Sequence, residues 1–136
     1  MSDGVFVRVR DVMQEGALEI DGMATVRDAL ALMRSKNISS LVVPRRDERD
    51  EYGLVKITDL AREVIARDRS PARTSVYEVM VKPAPALDAE MNIKYAVSFM
   101  HRFGLTHAIV VENRQLVGIV TIRDMVLRYV EEAGEI

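Results

Sequence analysis

The chain has 136 residues, 49% hydrophobic and 29% charged, with a net charge of −2. This balance suits a globular protein and argues against a wholesale nucleic-acid or membrane surface. There is no cysteine, which excludes a disulfide framework, a thiolate nucleophile and a thiolate metal site.

In chain order, the N-terminal MSDGVFVRVR lacks the long apolar stretch of a signal peptide. No apolar run approaches a membrane span, so a cytoplasmic location is expected. A short helical turn is predicted at 9–13, followed by an irregular segment. Thr25, with Asp28 three residues on, then caps an amphipathic helix whose stripe is Val26, Ala29, Leu30 and Met33. Strands are predicted at 39–43 and 54–57 around a polar turn at 45–50. There Arg45, Arg46 and Arg49 alternate with Asp47, Glu48 and Asp50, as in a solvated loop. A closing helix is expected at 59–66, and a polar linker with Pro71 at 67–75.

The same order then repeats. Ser75 and Glu78 have capping-box spacing at a turn over 76–80. Asn92 caps a helix striped with Ile93, Ala96, Val97 and Met100, and Gly104 is its stop signal. Strands at 107–111 and 119–122 flank a turn at 112–115, and a closing helix runs over 124–132. A shift of 67 positions lays Val12 and Met13 on Val79 and Met80, Ala29 on Ala96, and Met33 on Met100. After a longer first-copy turn the shift is 65, laying Gly53, Ile57 and Asp59 on Gly118, Ile122 and Asp124. The chain is a tandem duplication, with units spanning 1–68 and 69–136. At roughly 60 residues neither copy is comfortable alone. The two are expected to pack face to face about a pseudo-twofold axis.

The duplicated strand-to-helix junction carries the chemistry. A helix start offers unpaired N–H groups and a partial positive charge, which suits a phosphate. In Gly118-Ile119-Val120-Thr121-Ile122-Arg123-Asp124, Thr121 adds a hydroxyl and Asp124 an acceptor-only carboxylate. A carboxylate suits two vicinal hydroxyls, so phosphate and ribose together suggest a nucleotide. A ligand-free alternative exists, because Thr121 and Asp124 also have capping-box spacing. One copy alone favours that cap. The other copy weakens it, because Gly53-Leu54-Val55-Lys56-Ile57-Thr58-Asp59 keeps the carboxylate and puts Lys56 where Thr121 sits.

Two repeats ending in this Gly-apolar-apolar-Ser/Thr-x-x-Asp junction resemble a tandem pair of CBS domains, a Bateman module. The resemblance covers the chain from about Val9 to Val130. It implies an α/β (α+β) fold of two β-α-β-β-α repeats. It also implies a non-catalytic regulatory role in signal transduction, binding AMP, ADP or ATP between the repeats. Carried over by position, one site comprises Thr121, Ile122, Arg123 and Asp124, with Ala17, Leu18 and Ile38 around the base. The pseudo-symmetric site comprises Lys56, Ile57 and Asp59, with Ala84, Pro85 and Leu105. His107 is placed to face ligand phosphates. Lys56 departs from the Ser/Thr pattern, and it can meet a phosphate as a point charge or fill the pocket itself. The resemblance further implies a homodimer, for which Val126, Val130 and Ile65 are candidate interface residues, and an unidentified protein target.

Two other readings stand beside this one: a sensor of S-adenosylmethionine, and a structural dimerisation module with no nucleotide. No catalytic cofactor, nucleic-acid partner or membrane partner is expected. His101 is expected to face solvent, and the two His with scattered carboxylates lack metal-ligand spacing. No Ser-His-Asp set or acid/base carboxylate couple supports an enzyme. The Met at positions such as 23, 33, 80, 91, 100 and 125 are expected to fill core space.

Overall fold

A computed structural model describes residues 4–136; residues 1–3, which open MSDGVFVRVR and the span 1–68, lie outside the described residues. The elements run α1 (Val9–Val12), β1 (Gln14–Glu15), α2 (Val26–Lys36), β2 (Ser40–Val43), β3 (Gly53–Lys56) and α3 (Ile57–Leu60). The helix of α3 continues as a π-helical turn, Ala61–Ile65, and short 3₁₀ turns follow at Pro71–Arg73 and Val76–Glu78. The second repeat supplies β4 (Ala86–Asp88), α4 (Ile93–Arg102), β5 (His107–Glu112), β6 (Gln115–Thr121) and α5 (Ile122–Glu132).

The compact units are cut differently from the sequential repeats. One comprises Leu18–Ala84; the other joins Met1–Ala17 to Pro85–Ile136. In the discontinuous unit the strands are ordered β1-β6-β5-β4. Gln14 lies opposite Ile119 and Glu15 opposite Gly118, so the first repeat's leading segment edges the second repeat's sheet. The continuous unit shows the mirror arrangement. Val81, which opens the second repeat's irregular segment, exchanges hydrogen bonds of 2.9 and 2.8 Å with Leu54 of β3.

The conserved spacing of the two glycines has a steric cause. A Cβ at Gly118 would sit 2.6 Å from the Gln14 carbonyl oxygen and 2.7 Å from the Met13 sulfur. At Gly53 it would sit 2.8 Å from the Met80 sulfur. Each Val-Met segment therefore lies directly against the glycine that opens a junction.

Two separate cores follow the two amphipathic patterns. Val26, Ala29, Met33, Leu41, Val55 and Leu60 are buried in the continuous unit. Ile93, Ala96, Met100, Ala108, Val110 and Met125 are buried in the other. The caps form at the predicted positions. Thr25 accepts from the Asp28 amide at 3.0 Å while the Asp28 carboxylate accepts from the Thr25 amide at 3.2 Å. Asn92 accepts from the Lys94 amide at 3.0 Å.

Some predicted boundaries shift. Ile57 and Ile122 are the first residues of α3 and α5, and not the last of their strands. The reason is the extended backbone of Lys56 (φ −114°, ψ 149°) and Thr121 (φ −112°, ψ 152°), which makes each the turning point into its helix. The first closing helix, expected as one run over 59–66, loosens into its π-turn after Leu60.

Candidate functional site: two strand-to-helix junctions

In the discontinuous unit the junction is built where β6 enters α5. Thr121 lies opposite His107 across the β5–β6 ladder. His107 Nδ1 and the Thr106 hydroxyl are 2.9 Å apart, and the Ile122 amide donates to the Thr106 carbonyl at 3.0 Å. The Thr121 hydroxyl oxygen accepts from the Asp124 amide at 3.1 Å, so Thr121 is an N-cap. Its own proton stays available as a donor.

The carboxylate of Asp124 does something different from the capping carboxylates elsewhere. Asp28 and Glu78 return a bond to their N-cap amides, at 3.2 and 2.7 Å. Asp124 returns none, and among the described residues its carboxylate accepts no hydrogen bond. The nearest cation is the adjacent Arg123 at 3.8 Å, and the Asp124 side chain is 39% exposed. Neither oxygen is taken by a hydrogen bond, and the side chain is partly open to solvent.

In the continuous unit the junction runs from β3 into α3. Lys56 lies opposite Ser40 and provides no side-chain cap. Asp59 is almost completely buried. Its Oδ1 accepts from Arg62 Nη2 at 3.1 Å. Its Oδ2 is buried without a hydrogen-bond partner, and Lys56 Nζ is 3.9 Å away. Arg62 also pairs with Glu63 at 3.0 Å. That bond to Glu63, followed by the charge of Asp59, raises the Arg62 pKa, and Arg62 together with Arg67 lowers that of Glu63.

The remaining expected residues divide between the units. Ala17, Pro85, Leu105 and His107 belong with Asp124; Leu18, Ile38 and Ala84 belong with Asp59. Pro85 accepts from the Ile109 amide at 2.8 Å, and the Ala84 amide donates to Tyr52 at 2.8 Å. Leu105 packs against one core and Ile38 against the other. Ile38 and Ile57 line one pocket of about 460 Å³ in the continuous unit, together with Leu30, Met33, Arg34, Asn37 and Ser39.

Arg62 and Thr106 were not among the sequence candidates. Arg62 was readable in principle, since three residues after Asp59 on a helix is an ion-pair spacing. Thr106 carried no signal beyond standing next to His107. Among the described residues no three His, Cys, Asp or Glu are grouped to hold a metal ion. No helix among them is long and apolar enough to cross a membrane.

Comparison with known proteins agrees with this duplicated architecture. The CBS domain family model matches twice, over residues 9–66 and 76–131. A mitochondrial CBS domain-containing protein of Arabidopsis thaliana is 27% identical over 93% of this chain and 66% of its own length. The chain spans between 43% and 66% of the curated relatives it matches. The hexameric CBS-CP12 protein of bloom-forming cyanobacteria superposes with a TM-score of 0.87 at 31% identity, covering 90% of this chain and 71% of that one. A CBS domain pair in complex with 5-methylthioadenosine and S-adenosyl-L-methionine has a TM-score of 0.79 at 18% identity, covering 94% of this chain and 99% of that one. With its repeated helix-strand-strand-helix pattern and its two glycine-led junctions, this chain belongs to the CBS domain family as a tandem pair.

Proposed function

We propose that the chain is a non-catalytic regulatory module that binds an adenosine-containing ligand, AMP, ADP or ATP, at the junction of Asp124. The observation that carries this reading is the Asp124 carboxylate itself. It stands three residues after a hydroxyl-bearing N-cap, at the start of an eleven-residue helix, with neither oxygen used by a hydrogen bond. Two vicinal ribose hydroxyls would each donate to one oxygen, and the helix start with Thr121 and His107 would meet the phosphate. The complex of 5-methylthioadenosine and S-adenosyl-L-methionine with another CBS pair supports the adenosine class and keeps S-adenosylmethionine as an alternative within it.

The test is calorimetric titration of wild type and Asp124→Ala with AMP, ATP and S-adenosylmethionine. Charge-assisted hydrogen bonds contribute about 1.5–3 kcal/mol each, so affinity should fall at least tenfold in the variant while the fold persists. Unchanged affinity in Asp124→Ala would reject the ribose assignment. Absence of binding by wild type would favour a structural module instead.

Assembly is the second part of the reading. Val126 and Ile65 are 42% and 58% exposed, and Val130 is half-buried, which leaves apolar helix surface for a partner copy. We read the module as a homodimer acting on a protein target in the cytoplasm. The cyanobacterial relative, which is hexameric, supports self-association as such. Sedimentation of a 15.3 kDa species at micromolar concentration would reject the dimer.

A further inference from the structure

We propose that Lys56 is the residue that determines ligand stoichiometry: it latches Asp59 and closes that junction to a diol, leaving one adenosine site per chain. The inference rests on the nucleotide reading of the Asp124 junction and adds to it what distinguishes the second copy. A carboxylate binds a vicinal diol best when each oxygen can be reached by one hydroxyl. At Asp59 both are hard to reach, because the side chain is 5% exposed where that of Asp124 is 39% exposed. Oδ1 already accepts from Arg62 at 3.1 Å, and Oδ2 is fronted by the Lys56 ammonium at 3.9 Å.

The two cations are not equal. The Arg62 side chain is 65% exposed, so its pair with Asp59 is a surface-type contact that solvent and competing groups weaken readily. The Lys56 side chain is only 20% exposed and faces a carboxylate that is 5% exposed. Asp59 Oδ2 is buried and accepts no hydrogen bond, so it needs a nearby positive charge to remain there. Lys56 supplies that charge from the chain itself, at the position where the other junction has the Thr121 hydroxyl. The latch sets a tethered ammonium before the oxygen that a ligand hydroxyl would have to reach.

The experiment titrates AMP into wild type, Lys56→Thr, Asp124→Ala and the Lys56→Thr/Asp124→Ala double variant, with a urea-unfolding cycle over Lys56→Met and Asp59→Asn. At AMP concentrations that just saturate the wild type, wild type should bind one AMP per chain, Lys56→Thr two, Asp124→Ala none with wild-type affinity, and the double variant one. Two AMP bound by wild type, or one by a folded Lys56→Thr, would overturn the proposal. The unfolding cycle does not depend on nucleotide. Lys56→Met should lower the urea midpoint when Asp59 is present and leave it unmoved in Asp59→Asn. A shift of the same size in both backgrounds overturns the latch even if AMP binds. If no variant binds AMP, the nucleotide reading fails by itself, and the cycle alone decides whether Lys56 holds Asp59.

Discussion

The two strand-to-helix junctions descend from one pattern and have been put to different physical use. At Asp124 a hydroxyl caps the helix and the carboxylate stands partly exposed with no hydrogen bond. At Asp59 the cap is missing, and the carboxylate is buried between an arginine and a lysine. A lysine in the place of a threonine removes the side-chain cap and sets an ammonium 3.9 Å from the carboxylate. The hydroxyl acts locally on backbone N–H groups, whereas the ammonium, on its long stem, reaches the carboxylate. An identical Asp at two equivalent positions therefore does not imply two equivalent sites.

The comparison can be broken most sharply at the glycines. Gly118→Ala would drive a Cβ to 2.6 Å from the Gln14 carbonyl oxygen, which is backbone and cannot yield without moving β1. Gly53→Ala would meet the end of a methionine at 2.8 Å, which can change rotamer, with Val43 at 3.2 Å behind it. Overpacking of this kind costs roughly 1–3 kcal/mol, and we expect Gly118→Ala near the top of that range and Gly53→Ala near the bottom. Chemical unfolding of the two variants measures the difference. Equal losses would mean that the Val-Met segments press on the two junctions alike.

A smaller effect separates capping carboxylates from the one at Asp124. Asp28→Ala removes a carboxylate that closes a capping box, and should lower stability by about 1 kcal/mol. Thr121→Ala should lose a similar amount, because its hydroxyl holds the Asp124 amide. Asp124→Ala should lose clearly less than either, since its carboxylate holds no amide. A loss at Asp124 equal to that at Asp28 would return Asp124 to a capping role.

The smallest effect is acid sensitivity, and it should fall mainly on the continuous unit. There Asp50 is bonded by Arg46 at 3.0 Å and by Lys82 at 2.7 Å, tying the β2–β3 turn to the segment that carries Val81. Arg46 first, then Lys82, hold the Asp50 pKa well below its ordinary value of 3.8. The folded state thus binds the proton less tightly than the unfolded state. The contribution is fully present above that ordinary value and is lost as pH falls below it. In the other unit Asp11 is lowered in the same direction, mainly by the Arg8 amide. Asp50→Asn should flatten the loss of stability between about pH 4 and pH 2 more than Asp11→Asn does. Equal slopes in the two variants would show that the turn of the continuous unit is no more acid-sensitive than α1.

The amino-acid sequence by itself determined the duplication, the order of elements within each repeat, the caps at Thr25, Ser75 and Asn92, and the pair Asp59 and Asp124. Each of these is local information: a period of apolar residues, a cap three residues from its partner, or a fixed offset between copies. It also placed Lys56 as the point where the copies diverge. Only the tertiary structure decided that Gln14 pairs with Ile119 and Leu54 with Val81, because an edge strand's partner depends on long-range pairing that short segments do not encode. Only it decided that Asp59 is buried while Asp124 stays partly exposed, since burial depends on what packs around a residue and not on its neighbours in the chain. The close approach of Met13 and Gln14 to Gly118 belongs to the same class: Gly118 was visible in the sequence, and the backbone that requires it lay a hundred residues away.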